Sequence, residues 1–121
     1  MTPTAFDTFV STLRKQTRWP IETGTRDING REIRTGDIVE FWFGEVSGYT
    51  PAASEGSTRM VDVVEYRDGV FYAVDYDTRG GVFLWQLDGV CTVIGDVHAN
   101  PDELKSLLRF SHLGRFLGLS E

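Results

Sequence analysis

Two Asp-Gly pairs, Asp68-Gly69 and Asp88-Gly89, do most to limit what this chain can fold into. Each lies between short runs rich in β-branched and aromatic residues, and Asp-Gly supplies the backbone angles of a two-residue hairpin turn. Chains punctuated in this way form antiparallel strands whose partners are close in sequence. The first pair separates 60–67 from 70–76, where Val70, Tyr72, Val74 and Tyr76 share one face. The second separates 82–87 from 90–94, and a looser turn at 77–81 makes the four strands a meander. A fifth strand is expected over 37–43, the run Asp37-Ile38-Val39-Glu40-Phe41-Trp42-Phe43 behind Gly36. Five strands suffice for a small bent sheet or open barrel. The expected class is mostly β, α+β by content, with a helix at each end.

The N-terminal helix is expected within 1–19. Thr2 can cap it, Pro3 suits its first position, and Phe6, Phe9, Val10 and Leu13 fall on one face. Arg14, Lys15 and Arg18 complement its C-terminal dipole, and Trp19-Pro20 ends it. At the other end, within 100–121, Asn100 caps a helix that begins at Pro101, with Glu103 placed for a capping box. Leu104, Leu107 and Leu108 share its buried face. Gly114 and Gly118 argue against helix beyond His112. The tail still carries Leu113, Phe116, Leu117 and Leu119, which either fold back on the sheet or leave a patch for a partner. Residues 44–59, with Gly44, Gly48, Pro51 and Gly56 around Tyr49, read as a mobile loop.

Between the first helix and the first strand lies Asp27-Ile28-Asn29-Gly30-Arg31-Glu32-Ile33, in which Asn-Gly marks a tight turn flanked by two core candidates, Ile28 and Ile33. Together with Thr23-Gly24 before it and Gly36-Asp37-Ile38-Val39 after it, this segment is similar to the YopX family pattern of Thr-Gly, Asp-x-Asn-Gly-x-x-Ile and Gly-Asp-Ile-Val. A second stretch, Val93-Ile94-Gly95-Asp96 followed by Asn100-Pro101-Asp102-Glu103-Leu104, resembles that family's closing pattern. The resemblance covers 23–104. It departs at the front, where the family usually has an Arg-Ala-Trp-Asp-type strand, and at the tail, which runs past the usual end. It implies a mostly-β fold, a phage or prophage origin and self-association, and no catalytic residue to carry over. The motif residues themselves read as structural. Gly24, Gly30, Gly36 and Gly95 permit turns, Asp27 and Asp37 bond nearby backbone N–H groups, and Ile38, Val39, Val93 and Ile94 are core candidates.

One domain, 1–121, with a β-region over 23–96, is what 121 residues of ordinary composition support. Cys91 is the single cysteine, which excludes an internal disulfide and a cysteine-cluster zinc site, and it reads as a small buried hydrophobe. There is no secretory signal and no apolar run long enough for a membrane span, so the expected location is the bacterial cytoplasm, with no membrane partner. The net charge of −6 is unevenly spread, with 37–103 at −10 and each flank at +2. That balance disfavours a general nucleic-acid coat.

No cofactor and no metal site is expected. His98 and His112 lie fourteen residues apart, and neither has a second ligand at i+3 or i+4. A magnesium site would have to be built from Asp75 and Asp77 with Asp62 or Glu65, a set that reads more simply as strand-end carboxylates. Ser/His/Asp and P-loop patterns are absent. The expected function is therefore that of a non-enzymatic accessory protein that binds protein, a host regulator or defence component being the class of partner considered. Trp42, Tyr49 and Trp85 are candidate contacts, with Phe116 and Leu117 for self-association. The alternative is a small barrel that binds nucleic acid through the Arg14, Lys15 and Arg18 face.

Overall fold

The computed structural model describes residues 4–44, 46, 48–76 and 80–119. Helix α1 (Ala5–Gln16) opens on a capping box. The Thr4 hydroxyl accepts from the Asp7 N–H and the Asp7 carboxylate accepts from the Thr4 N–H. Thr2 and Pro3, expected to start the helix, lie outside the described residues. The helix ends at Gln16, earlier than Trp19-Pro20, with Thr17 as its C-cap at φ −110° and ψ 23°, where the Thr17 N–H makes the last helical bond to the Leu13 carbonyl and its hydroxyl bonds the same oxygen.

Strands β1 (Glu22–Arg26) and β2 (Glu32–Arg34) form a hairpin around the Asn-Gly turn. Strands β3 (Asp37–Gly44), β4 (Gly48–Thr50), β5 (Thr58–Arg67), β6 (Val70–Asp75) and β7 (Gly80–Phe83) make a curled antiparallel sheet, a half-barrel, in the order β4-β3-β5-β6-β7. The Asp68-Gly69 turn forms as expected, with Arg67 opposite Val70.

Several expectations need correction. The stretch 44–59 is not all loop, because β4 pairs back on β3 with Phe43 opposite Tyr49. Residues 82–87 are not one strand. β7 stops at Phe83 and a 3-10 turn (Leu84–Leu87) follows, burying Leu84 and Leu87 completely. Residues three apart eclipse one another in that geometry, so both leucines point inward. The last strand, β8 (Thr92–Asp96), does not extend a meander but crosses to pair with β3. Ile28 is 48% exposed at the tip of its turn, whereas Ile33 is buried. Helix also continues past His112. After α2 (Pro101–Leu108), capped by the Asn100 side chain on the Glu103 N–H, comes α3 (His112–Phe116). Gly114 permits this turn, since a Cβ there would run into the Leu108 carbonyl.

The sheet carries a core on each face. Val61 and Val63 join Ile38, Phe6, Val10 and Leu13 of α1 and Leu104, Leu108 and Leu113 of the C-terminal helices. On the opposite face Val64 joins Val39, Phe41 and Ala73 with Ile33, Leu84, Leu87 and Cys91. Each fully buried side chain of this size contributes roughly 1.5–3 kcal/mol. The tail folds back on its own sheet. Leu113 and Leu117 are buried in the helix-side core and Leu119 packs against it, which leaves Phe116 half-exposed. No helix among the described residues is long and apolar enough to cross a membrane.

Candidate functional site

The Asp27–Ile33 turn does structural work that reaches across the chain. The Asp27 carboxylate accepts from the N–H groups of Asn29 and Arg31 within its own turn, and from the N–H of Val93 in β8. Asp37 accepts from the Arg34 N–H. Beside these bonds, Ile28 N–H reaches the Cys91 carbonyl, Asp37 lies opposite Asp96, Ile38 lies opposite Gly95, and the Val97 N–H reaches the Gly36 carbonyl. Gly36 has φ +88° and packs so closely on Thr17 that a side chain would crowd it. The two motif stretches are thus the two halves of one docking contact. Gly24 and Gly30 take positive φ in the hairpin, and Asn100 and Pro101 start α2. Val93 and Ile94 are half-buried on opposite faces of β8.

On the sheet face away from the helices, an open cleft of ≈ 190 Å³ remains between β3–β4 and β6–β7. Its walls are Phe41, Phe43, Tyr49, Met60, Gly81 and Val82, and two carboxylates, Asp62 and Asp75, line it. The aromatic wall is organised, with Tyr49 meeting Phe41 edge-on at 5.4 Å and Phe43 at 5.1 Å. The β5–β6 register places Val63 opposite Val74, so its next step brings Asp62 and Asp75 together. Asp62 is 2% exposed. Burial pushes its carboxyl above the usual range, the hydrogen bond and the charge interaction with His112 oppose that shift, and the Asp75 charge adds to it. Tyr49 is raised too, by burial and by the charge of Asp62.

His112 approaches from α3. Its Nε2 lies 3.1 Å from Asp62 Oδ1 and 3.6 Å from Asp75 Oδ1, and its Nδ1 accepts from the Val61 N–H at 3.1 Å. This is the convergence that sequence spacing missed, because His112 and Asp62 are 50 residues apart and meet only when α3 packs on β5. Asp62, Asp75 and His112 bring their ligand atoms within 4.8 Å of one another. Their donor set nevertheless fits a metal poorly. A backbone N–H occupies Nδ1, so the ring's proton sits on Nε2, where a metal would need a lone pair. Ligating histidines have the reverse arrangement, donating through the second nitrogen. The arrangement can hold two carboxylates side by side and share one proton among them. Asp77, the other expected carboxylate, lies outside the described residues, and Glu65 is engaged elsewhere by Arg67 and the Tyr76 hydroxyl.

The candidate contact residues are dispersed. Arg14 is committed to the Val97 and Ala99 carbonyls, at 2.9 and 2.6 Å. Lys15 and Arg18 are exposed, Arg18 lying over the Trp19 ring. Trp42 is half-buried, Tyr49 belongs to the cleft wall, and Leu117 is in the core. Trp85 is 67% exposed and stacks on Phe83, which in turn stacks on Tyr72.

The docked motif, the half-barrel and the helix that follows it agree with a family model described as YopX protein, which matches residues 12–105. The chain belongs to the YopX family. The YopX match starts earlier than the motif stretches, inside α1, and stops inside α2. Asp62 and Asp75 fall within it, while His112 lies beyond its end. No curated protein matches this YopX chain.

Proposed function

We propose that this YopX-family chain is a phage- or prophage-type accessory protein that acts by binding another protein in the host cytoplasm, without catalysis of its own. The observation that supports this reading is the row Tyr72, Phe83 and Trp85. Phe83 is opposite Tyr72 in the register, their rings stack at 5.3 Å, and Phe83 stacks on Trp85 at 6.2 Å. By strand alternation Tyr72 and Phe83 continue the face that α1–α3 cover at Val63, and Trp85 follows in the 3-10 turn, yet Phe83 and Trp85 are left exposed. Neighbouring exposed aromatics, here at the end of a strand and in the turn that follows it, are the residues interface hot spots favour.

Self-association through Phe116 and Leu117 has less behind it, because Leu117 is buried and only Phe116 of that pair faces out. Nucleic-acid binding by the first helix loses Arg14, already bound to two carbonyls. The test is capture from bacterial lysate, identification of the bound protein, and reconstitution with that protein purified. Trp85→Ala should weaken the reconstituted complex by about tenfold or more, whereas Phe116→Ser leaves it unchanged. Recovery of the bait alone, or equal affinity for Trp85→Ala, overturns the reading.

A further inference from the structure

We propose that the groove between α1 and the start of α2 binds a short acidic segment of a partner protein, one that carries an apolar side chain for the floor of the groove and carboxylates for its basic rim. That the segment belongs to a protein rests on the protein-binding reading above. Its chemistry rests on the groove.

The groove has a volume of ≈ 460 Å³. Phe6 and Val10 of α1 and Pro101 of α2 give it an apolar lining, and Arg14, Lys15 and Arg18 make it basic. Phe6 and Val10 belong to the helix-side core, so the floor is fixed before anything binds. Arg14 is fixed as well. Its Nε and Nη2 donate to the Val97 and Ala99 carbonyls, which are neutral acceptors, so Arg14 brings the groove its charge rather than its donors. Lys15 and Arg18 are exposed, and among the described residues neither is in an ion pair. The one acid in the lining, Asp7, accepts from the Thr4 N–H in the capping box and interacts with the charge of Lys105. Three cations against one acid leave the groove positive, within a chain whose net charge is −6.

Charge complementarity decides the occupant. A carboxylate next to an apolar side chain answers both the rim and the floor. A neutral apolar segment would use the floor alone, and a basic one would be repelled. A nucleic-acid backbone draws its affinity from many phosphate contacts. It would find three cations here, one with its donors already engaged, and it would gain nothing from Phe6, Val10 and Pro101. The volume falls within the roughly 300–1,000 Å³ range of ligand pockets, which suits a few side chains rather than a long polymer. No residue of the groove belongs to the Tyr72, Phe83 and Trp85 row, so the two surfaces can be separated by mutation.

The experiment is a titration of the full chain followed by NMR amide shifts. The probes are a blocked peptide of two leucines flanked on each side by two glutamates, the same peptide with glutamine for glutamate, the same with serine for leucine, and a single-stranded DNA oligonucleotide. Saturable shifts confined to α1 and the start of α2 are expected with the acidic leucine peptide, and they should weaken as salt is raised. The glutamine and serine peptides should each bind about tenfold or more weakly. The double variant Lys15→Glu, Arg18→Glu should lose about tenfold or more in affinity, whereas Trp85→Ala should bind as the wild type does. Both substituted side chains are exposed, and unchanged amide shifts outside the groove establish that the variant is folded. No saturable shift, equal binding by the glutamine peptide or by the double variant, or tighter binding of the oligonucleotide would each overturn the proposal. So would a dimer of the chain alone that the double variant dissolves, since the occupant would then be a second copy. Failure of the peptide with a Trp85-dependent complex intact removes the groove alone. Peptide binding as expected, with the bait alone recovered from lysate, leaves the groove's ligand chemistry standing and removes the protein-binding reading instead.

Discussion

The turn at Asp27 and the cleft at Asp62 both bury a carboxylate, and they do so on opposite terms. Asp27 accepts three backbone N–H groups, from Asn29, Arg31 and Val93, and ties the hairpin to β8. Asp62 accepts from one side chain, His112, and faces a second acid in Asp75. Backbone donors are fixed by the fold and favour the ionised form, so a carboxylate surrounded by them is a staple. A carboxylate beside another acid, at the edge of an aromatic cleft, is held at a cost, and such a cost is usually tied to something that binds. One chain thus uses the same side chain once as a staple and once where its charge is held at a cost.

The comparison breaks most visibly at Asp27. Asp27→Ala leaves three N–H groups without their acceptor, and hydrogen bonds to charged groups are each worth about 1.5–3 kcal/mol. A loss of about 3–5 kcal/mol is expected in urea unfolding, with the hairpin and β8 losing hydrogen-exchange protection together. A loss below about 1 kcal/mol would mean that the turn and β8 are held by their other bonds, such as Ile28 N–H to Cys91 O. His112→Ala comes next. It strips the Val61 N–H of its acceptor and Asp62 of its donor, two groups at about 1–3 kcal/mol each. We expect a loss of about 2–4 kcal/mol by the same measurement, and His112→Gln, which can both accept and donate, should recover part of it.

The two regions also differ in how far the sequence reveals them. Asp27 was legible because its first two partners lie two and four residues away, and an Asx-type turn before Asn-Gly is a local signal. Its third partner, Val93, is 66 residues away. That contact joins the two motif stretches, and no spacing rule could supply it. The Asp-Gly hairpin of β5 and β6 was legible for the same local reason, whereas the choice of β3 as partner for β8 is made by tertiary packing. Leu84-Trp85-Gln86-Leu87 reads equally well as strand or 3-10 turn, and the enclosed space for Leu84 and Leu87 decides it. Gly114 misled in the opposite direction. Its poor helix propensity is outweighed because only glycine can approach the Leu108 carbonyl, and the helix it permits is the one that delivers His112 to Asp62.

The smallest expected effect has the opposite sign and tests the contrast directly. Asp62→Asn keeps an oxygen to accept from His112 Nε2 and gains an N–H₂ that can face Asp75, while removing a buried charge. Because burial and Asp75 raise the folded-state pKa of Asp62, the folded chain holds that proton more strongly than the unfolded chain does. Between the ordinary carboxylate value of 3.8 and the raised one, wild-type stability on account of this group therefore falls as pH rises. Above the raised value the penalty is fully present, and below the ordinary value it is absent in both states. The asparagine chain carries no such penalty at any pH. Its melting temperature should exceed the wild type's by several degrees at pH 8, and the gap should close as pH falls toward about 4. Asp37, raised chiefly by its own burial, titrates in both chains and cancels from the difference. A gap that stays constant with pH, or an Asp62→Asn chain less stable than wild type at pH 8, would show that the His112 contact outweighs the burial of the charge. Asp62 would then be a staple like Asp27.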